Sequence, residues 1–266
     1  MTGGYIELTT WQVALAAVLI LVNATVSLSL RLGMERRLLV AAFRTVAQLT
    51  LIGFVLDWVF GVGRAGIVLL LMTVMVLVAG VAAVRRTERR YPGIWLNAIV
   101  SMWASSWMIT AVALFGIVRV RPWYDPQYAI PLLGMILGNT LNGISLGLDR
   151  LTEELRARRD QVETLLALGA TRWEAAQDPV RRAVRTGMIP IINSMMVVGI
   201  VSIPGMMTGQ LLAGVDPLSA VEYQIVIMFL IASGTALGTV GVVLLGYRRL
   251  FNARHQFLFQ RIGGGK

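Results

Sequence analysis

The intervals from which charge is absent constrain this chain more than any residue it contains. Residues 8–30, 65–84, 91–118, 126–148, 186–215 and 223–247 hold no Asp, Glu, Lys or Arg. Each is long enough for the roughly 20 apolar residues that cross a bilayer core as a helix. A further apolar stretch, 38–60, is interrupted only by Arg44 and Asp57. The pattern predicts an all-α, polytopic transmembrane helical bundle of about seven spans, with 1–266 forming a single transmembrane domain. Only 14% of the residues are charged, against about 25% in an average soluble domain. That is too few to clothe a water-facing globule, which excludes a soluble enzyme or a disordered regulator. With no cysteine in the chain, disulfides, thiolate metal sites and cysteine nucleophiles are excluded as well. The 186–215 interval exceeds one span and is punctuated by Pro204-Gly205, so a helix to about 203 is expected there. A loop or re-entrant turn should follow, in preference to two unusually short spans.

The net charge of +10 could suggest nucleic acid, but the distribution of the arginines points to lipid instead. If the N-terminus lies outside, 21 of the 24 Lys and Arg face the cytoplasm, and only Arg64, Arg119 and Arg121 face outward. Acidic residues divide nine inside and five outside, the outer set being Glu7, Asp57, Asp125, Asp216 and Glu222. Basic loops mark the cytoplasmic side, so the topology reads N-out, C-in. Juxtamembrane arginines meeting anionic headgroups account for the charge without a nucleic acid. Glu7, where a signal peptide would carry basic residues, and the length of the first apolar segment predict a retained helix.

The one sizeable polar stretch is 149–185. Leu148, Leu151, Leu155, Val162, Leu165 and Leu166 recur at helical spacing, with Glu154, Arg158 and Asp160 opposite. Gly169 is a natural helix stop. Thr171-Arg-Trp-Glu174 reads as a capping box, and Asp178-Pro179 reads as the start of a further helix. The result is a cytoplasmic helical elbow suited either to a groove on another protein or to the lipid surface.

Within it, Glu163-Thr-Leu-Leu-Ala-Leu-Gly169, followed by Ala175-Ala176, resembles the coupling loop of ABC-transporter permeases, in which an acidic residue precedes a Gly by six positions. Thr164 and Leu165 stand where that signature has two alanines. Gly134-Met-Ile-Leu-Gly-Asn139, Leu166-Ala-Leu-Gly-Ala-Thr171, Pro204-Gly-Met-Met-Thr-Gly-Gln210 and Tyr223-Gln-Ile-Val-Ile-Met228 extend the likeness. Together they resemble the Fet-type iron-export permeases of bacteria and their plant relatives in aluminium tolerance, which have been linked to UDP-glucose. The resemblance implies a multi-pass permease of the bacterial inner membrane, working as a homodimer with a separate ABC ATPase. It implies that Glu163, Thr164, Leu165, Leu166, Ala167, Leu168 and Gly169 dock on that ATPase. The chain holds no Gly-x-x-x-x-Gly-Lys-Ser/Thr phosphate loop; Gly263-Gly-Gly-Lys266 lacks the spacing. It is therefore read as a transport subunit and not an enzyme, with no cofactor of its own, and with ATP and Mg on the partner.

Polar groups inside apolar spans are the candidates for a pathway. Asn139, Asn142 and Asn193 serve equally well as interhelical hydrogen-bond glue. Gly-Met-x-x-Gly-Asn/Gln occurs at 134–139 and again at 205–210, and the helix-breaking Pro204-Gly205 favours a paired constriction there. The pathway set is Asn139, Asn142, Met206, Met207, Gln210, Glu222 and Gln224. If a metal cation passes, Glu222 and Gln210 offer oxygen ligands, although Glu222 equally suits a helix N-terminus. Metal export from the cytoplasm is the leading reading. Nucleotide-sugar export would favour a more basic pathway than the single embedded Arg44 provides. An ion-gradient transporter would need an embedded titratable group, and a membrane scaffold would use the elbow for docking alone.

Overall fold

A computed structural model describes residues 9–263, which are helix, turn and loop with a few isolated β-bridges and no strand among them. Glu7 and residues 264–266, which entered the charge and phosphate-loop readings above, lie outside the described residues. In chain order the helices are α1 (Thr10–Ser29), α2 (Glu35–Val62), α3 (Ala65–Arg85), α4 (Ile94–Ala111, continued by a π-helical turn, Val112–Ile117), α5 (Pro126–Ala157), α6 (Arg159–Ala167), α7 (Arg172–Val197), α8 (Gly205–Leu212) and α9 (Pro217–Leu250). α1 to α5 and α9 are long and apolar enough to cross a membrane, which gives six spans by length and composition. The molecule is a polytopic helical bundle.

Local chemistry explains where the two longest helices start. Asp125 accepts a hydrogen bond from the Gln127 amide at the head of α5, and Asp216 accepts one from Ser219 at the head of α9. Each is followed by a proline at the first helical position, where the missing N–H costs nothing. α2 ends on Gly63 in the left-handed conformation at φ +57°, which a residue with a Cβ adopts only at a cost.

The centre of the bundle is built from α5, α7 and α9, packed at backbone distance. A methyl on Gly187 of α7 would stand 2.6 Å from the Gly143 carbonyl oxygen of α5 and 2.5 Å from Thr239 Cγ2 of α9. One on Gly238 would stand 2.4 Å from Thr140 Cγ2. Small residues at such crossings let membrane helices meet closely where lipid supplies no hydrophobic drive between them. α3 and α4 pack onto this core. α1 pairs with α2, which joins this core only near its C-terminal end, where Val59 is buried, and the most apolar window of α2 has no buried residue.

Three expectations change. The helix through 186–215 stops at Val197, well before 203, because Val198 turns extended and Gly199 takes φ +83°. The interval is thus a half-helix, a break and the eight-residue α8, and does not meet the length and hydropathy of a full span, so six of the seven expected helices qualify. Asp178-Pro179 does not begin a helix. The Thr171 cap starts α7 earlier, and Pro179 is absorbed inside it as a missing hydrogen bond. Finally, the first elbow helix is the tail of α5 itself, which runs on to Ala157 and bends at Arg158 into α6.

Candidate translocation cavity and coupling elbow

The break in α7 opens a cavity of about 440 Å3 between α5, α7, α8 and α9. Met135 and Asn139 of α5 line it, with Ser194 of α7, Ser202 and Pro204 of the break, Gly205 and Met206 of α8, and Gln224 and Met228 of α9. Both Gly-Met-x-x-Gly segments therefore reach the same space, as the sequence suggested, but they are not equivalent. The first lies in unbroken helix, and only the second follows a break. The break carries its own hydrogen bond, from Gly199 N–H to the Ser202 carbonyl at 2.9 Å.

Gln224 is the informative side chain here. It is only 6% exposed, and its Oε1 has no hydrogen-bond partner among the described residues. An unsatisfied buried amide oxygen costs about 1–3 kcal/mol, so its retention in this wall calls for a use. Behind it, a second cavity of about 430 Å3 is lined by Met195, Met207, Met228 and Gln224 again. Asn139, by contrast, donates from Nδ2 to the Met135 carbonyl one turn back in its own helix at 3.0 Å.

The remaining pathway residues lie elsewhere. Asn142 is exposed and accepts a hydrogen bond from Arg86 Nη1 at 2.8 Å, away from the cavity. Gln210 is half-buried on α8, Glu222 is exposed in the second turn of α9, and neither lines either cavity. Asn193 is exposed on α7. Among the described residues no three His, Asp or Glu side chains gather into a metal-ligating group. The walls offer thioether, hydroxyl and amide atoms, with no charge. Met135, Met228, Ser194 and Ser202 were missed from sequence. Met135 lay inside the Gly134–Asn139 motif and Met228 at the end of the Tyr223–Met228 motif, but nothing in the pattern singled out the two serines.

The elbow forms as the spacing implied. α6 stops at Gly169, whose φ of +92° is left-handed territory. Thr171 Oγ1 accepts from Glu174 N–H at 3.3 Å, and Glu174 accepts from the Thr171 amide at 2.7 Å, closing the box. The Thr171 amide and, at 2.8 Å, the Thr171 hydroxyl both donate to the carboxylate and, with the nearby His255 a smaller contributor, hold the Glu174 carboxyl below its ordinary value. Leu168 is 80% exposed at the tip, with Leu165 and Trp173 also open. Glu163 is engaged by Arg159 at 2.8 Å.

The tail after α9 braces the elbow, which sequence reading did not foresee. His255 Nδ1 accepts the Arg172 amide at 2.9 Å, and Arg172 Nη1 reaches the Asn252 carbonyl at 3.3 Å. Trp173, Tyr247, Phe251, Phe257 and Phe259 form a chain of ring contacts at 5.0–6.0 Å, ending with the Arg159 guanidinium 4.4 Å over Phe259. On the other side, buried Glu154 pairs with Arg150 and Arg158 and faces Arg182 of α7 at 3.8 Å. The aromatic spacing of the tail was the available signal.

Over residues 10–251 the chain matches the uncharacterised protein family UPF0014. It belongs to that family. It is 43% identical over 227 residues to a UPF0014 membrane protein of Synechocystis, covering 85% of this chain and 88% of the relative. It is 30% identical over 256 residues to the probable iron export permease protein FetB of Escherichia coli, covering 96% and 97%. To the Arabidopsis thaliana protein ALUMINUM SENSITIVE 3 it is 31% identical over 243 residues, covering 91% and 88%. No solved structure matches it. With six apolar spans, this UPF0014 chain is a multi-pass membrane permease of the inner membrane.

Proposed function

We propose that this UPF0014 chain is the membrane subunit of an ATP-driven ABC exporter that moves iron or another metal cation out of the cytoplasm. The observation that carries the reading is the elbow. Leu165, Leu168 and Trp173 stand open on a capped, braced turn at the basic end of the bundle, a shape suited to a partner groove. The relationship to a probable iron export permease along nearly the whole length of both chains supports the cargo.

In this reading Glu163–Gly169 of two permease copies contact two ATPase subunits, which carry the ATP and Mg. The N-terminus is outside, and the elbow is cytoplasmic. ATPase closure moves the elbow, and the braced α6–α7 unit passes that motion along α7 to its break. Asn139, Met206, Met207 and Gln224 form the passage, with Gln210 and Glu222 offering oxygen atoms at the outer mouth. Neutral ligands bind a cation weakly, which suits release, and a device of this kind works only if the two states differ in contact free energy.

The test is ATP-dependent iron(II) uptake into inside-out vesicles holding the chain and its cognate ATPase. Uptake abolished by a hydrolysis-dead ATPase supports the reading. Stimulated hydrolysis without uptake keeps the permease role and overturns the cargo, and UDP-sugars are tried next. Neither uptake nor stimulation overturns the role itself. Gly169→Val, which forces a β-branched residue to φ +92°, should leave hydrolysis running while transport stops.

A further inference from the structure

Between α2 and α3, at the basic end of the bundle, lies a groove of about 560 Å3 into which Arg44, Arg85 and Arg86 all project, over walls that include Leu77, Val78 and Val81. We propose that this groove is a binding site for an anionic phospholipid. Its phosphate would lie among the three guanidinium groups and an acyl chain along the α3 wall.

Arg44 stands nine residues beyond Glu35, the first residue of α2, so it lies about 14 Å along the helix at 1.5 Å per residue. A charge at that depth in apolar surroundings is expensive unless something answers it. Among the described residues no carboxylate does so: none of the three arginines takes part in an ion pair. Arg86 gives one N–H to Asn142 Oδ1 and keeps the rest of its fork. Two of the acidic groups at this end are engaged elsewhere. Glu35 accepts from Ser27 at 3.0 Å, and Asp149 accepts the Glu88 amide at 2.8 Å.

Helix packing keeps the groove open. α2 lies against α1 and stands off from α3 beyond their short connection, leaving Leu77 and Val78 exposed. Three planar donors facing one space suit a phosphate, which accepts paired bonds from arginine. An apolar wall running away from them suits a fatty chain. Basic pockets between membrane helices take such headgroups. Inorganic phosphate or a soluble nucleotide shares the headgroup chemistry but would leave the apolar wall unused.

The full-length chain would be reconstituted in phosphatidylcholine nanodiscs doped with phosphatidylglycerol, extracted, and its retained lipid counted by native mass spectrometry. Phosphatidylglycerol should be kept in preference to phosphatidylcholine. Removing Arg44 and Arg85 together by R44Q and R85Q should lower that preference by about fivefold for each arginine. R36Q with R37Q, at the same end but outside the groove, should leave it unchanged. An equal fall in both pairs, or no fall in the first, overturns the site. Pyrophosphate that displaces the retained lipid and stabilises the protein equally well in pure phosphatidylcholine overturns the lipid as its occupant. If the groove variant does not fold, salt decides on the wild type: retention must weaken as ionic strength rises, and salt-independent retention overturns the proposal.

Discussion

Around its elbow the bundle is tied off, whereas at the break that follows α7 it is left open. Around the elbow, polar groups find partners: Thr171 with Glu174, His255 with Arg172, Glu154 with the arginines around it. Even the Tyr91 hydroxyl, pushed up to about 12 chiefly by burial, accepts a bond from Asn97 at 3.1 Å. Around the break, Gln224 Oε1 and the Tyr223 hydroxyl have no partner among the described residues, a trait shared with the Thr140, Thr235 and Thr239 hydroxyls of the close-packed centre, but here alone the neighbouring α-helix, α8, has no buried residue at all. A region that must carry force has to be stiff, while one that must change its contacts cannot be saturated. The difference assigns the first task to the elbow and the second to the cavity, with the glycine-packed centre between them.

The sharpest way to break this comparison is at two glycines. Gly187→Ala places a methyl 2.6 Å from a backbone oxygen, which a flexible side chain cannot relieve. It should cost about 1–3 kcal/mol or more and be seen as a lower melting temperature and folded yield in detergent. Gly209→Ala on α8 meets nothing within 4 Å. In a helix it should be neutral, or stabilising by up to about 1 kcal/mol. If the two variants melt alike, the tight centre and the loose break are not different environments.

Gln224→Leu probes the open half with opposite signs for stability and function. It keeps the approximate volume and removes an oxygen that has no partner, so the protein should gain about 1–3 kcal/mol while transport falls. A variant that loses stability would show that the oxygen is satisfied after all. One that transports normally would remove Gln224 from the pathway. At the braced end, Phe257→Ala interrupts the ring chain between Phe251 and Phe259. It should cost about 1–2 kcal/mol, at the low end for a large-to-small change because Phe257 is only partly buried. It should also lower the cargo moved per ATP hydrolysed, measured in the same vesicles, without lowering hydrolysis itself.

Much of the membrane architecture was readable because bilayer thickness imposes a length that uncharged intervals report directly. The elbow was readable for a different reason: Gly169 and the Thr171–Glu174 box are local rules, decided within a few residues of chain. Local rules also misled. Asp178-Pro179 is a good helix start taken alone, yet the cap seven residues earlier had already begun the helix, and Pro179 was carried along. The extent of α7 depended on Gly199, one glycine among many in this chain, whose left-handed conformation no neighbouring residue announces. Gln224 could be placed on a helix, but not shown to lack a partner, since that depends on four helices at once. The groove at Arg44 was hidden for the same reason: α3 follows α2 after a short connection, which ordinarily implies close packing, and only the structure shows them standing apart.

The smallest effect concerns acid. The Glu174 carboxyl is held below the ordinary glutamate range by the Thr171 amide and hydroxyl first, and by His255 less. A carboxyl whose folded value is depressed adds stability that is present above its unfolded value and is lost as pH falls through the folded one. The elbow should therefore loosen below about pH 4.5 while the membrane spans persist. A fluorine label on Trp173 would report this as a change in its resonance. Thr171→Ala removes the hydroxyl donor and a helix cap worth about 1 kcal/mol, so the transition should move to higher pH. Glu174→Gln, which cannot titrate, should flatten it. A transition that ignores both changes would mean that the tail contacts hold the turn and the capping box is incidental, leaving the aromatic chain from Trp173 to Phe259 as the sole brace.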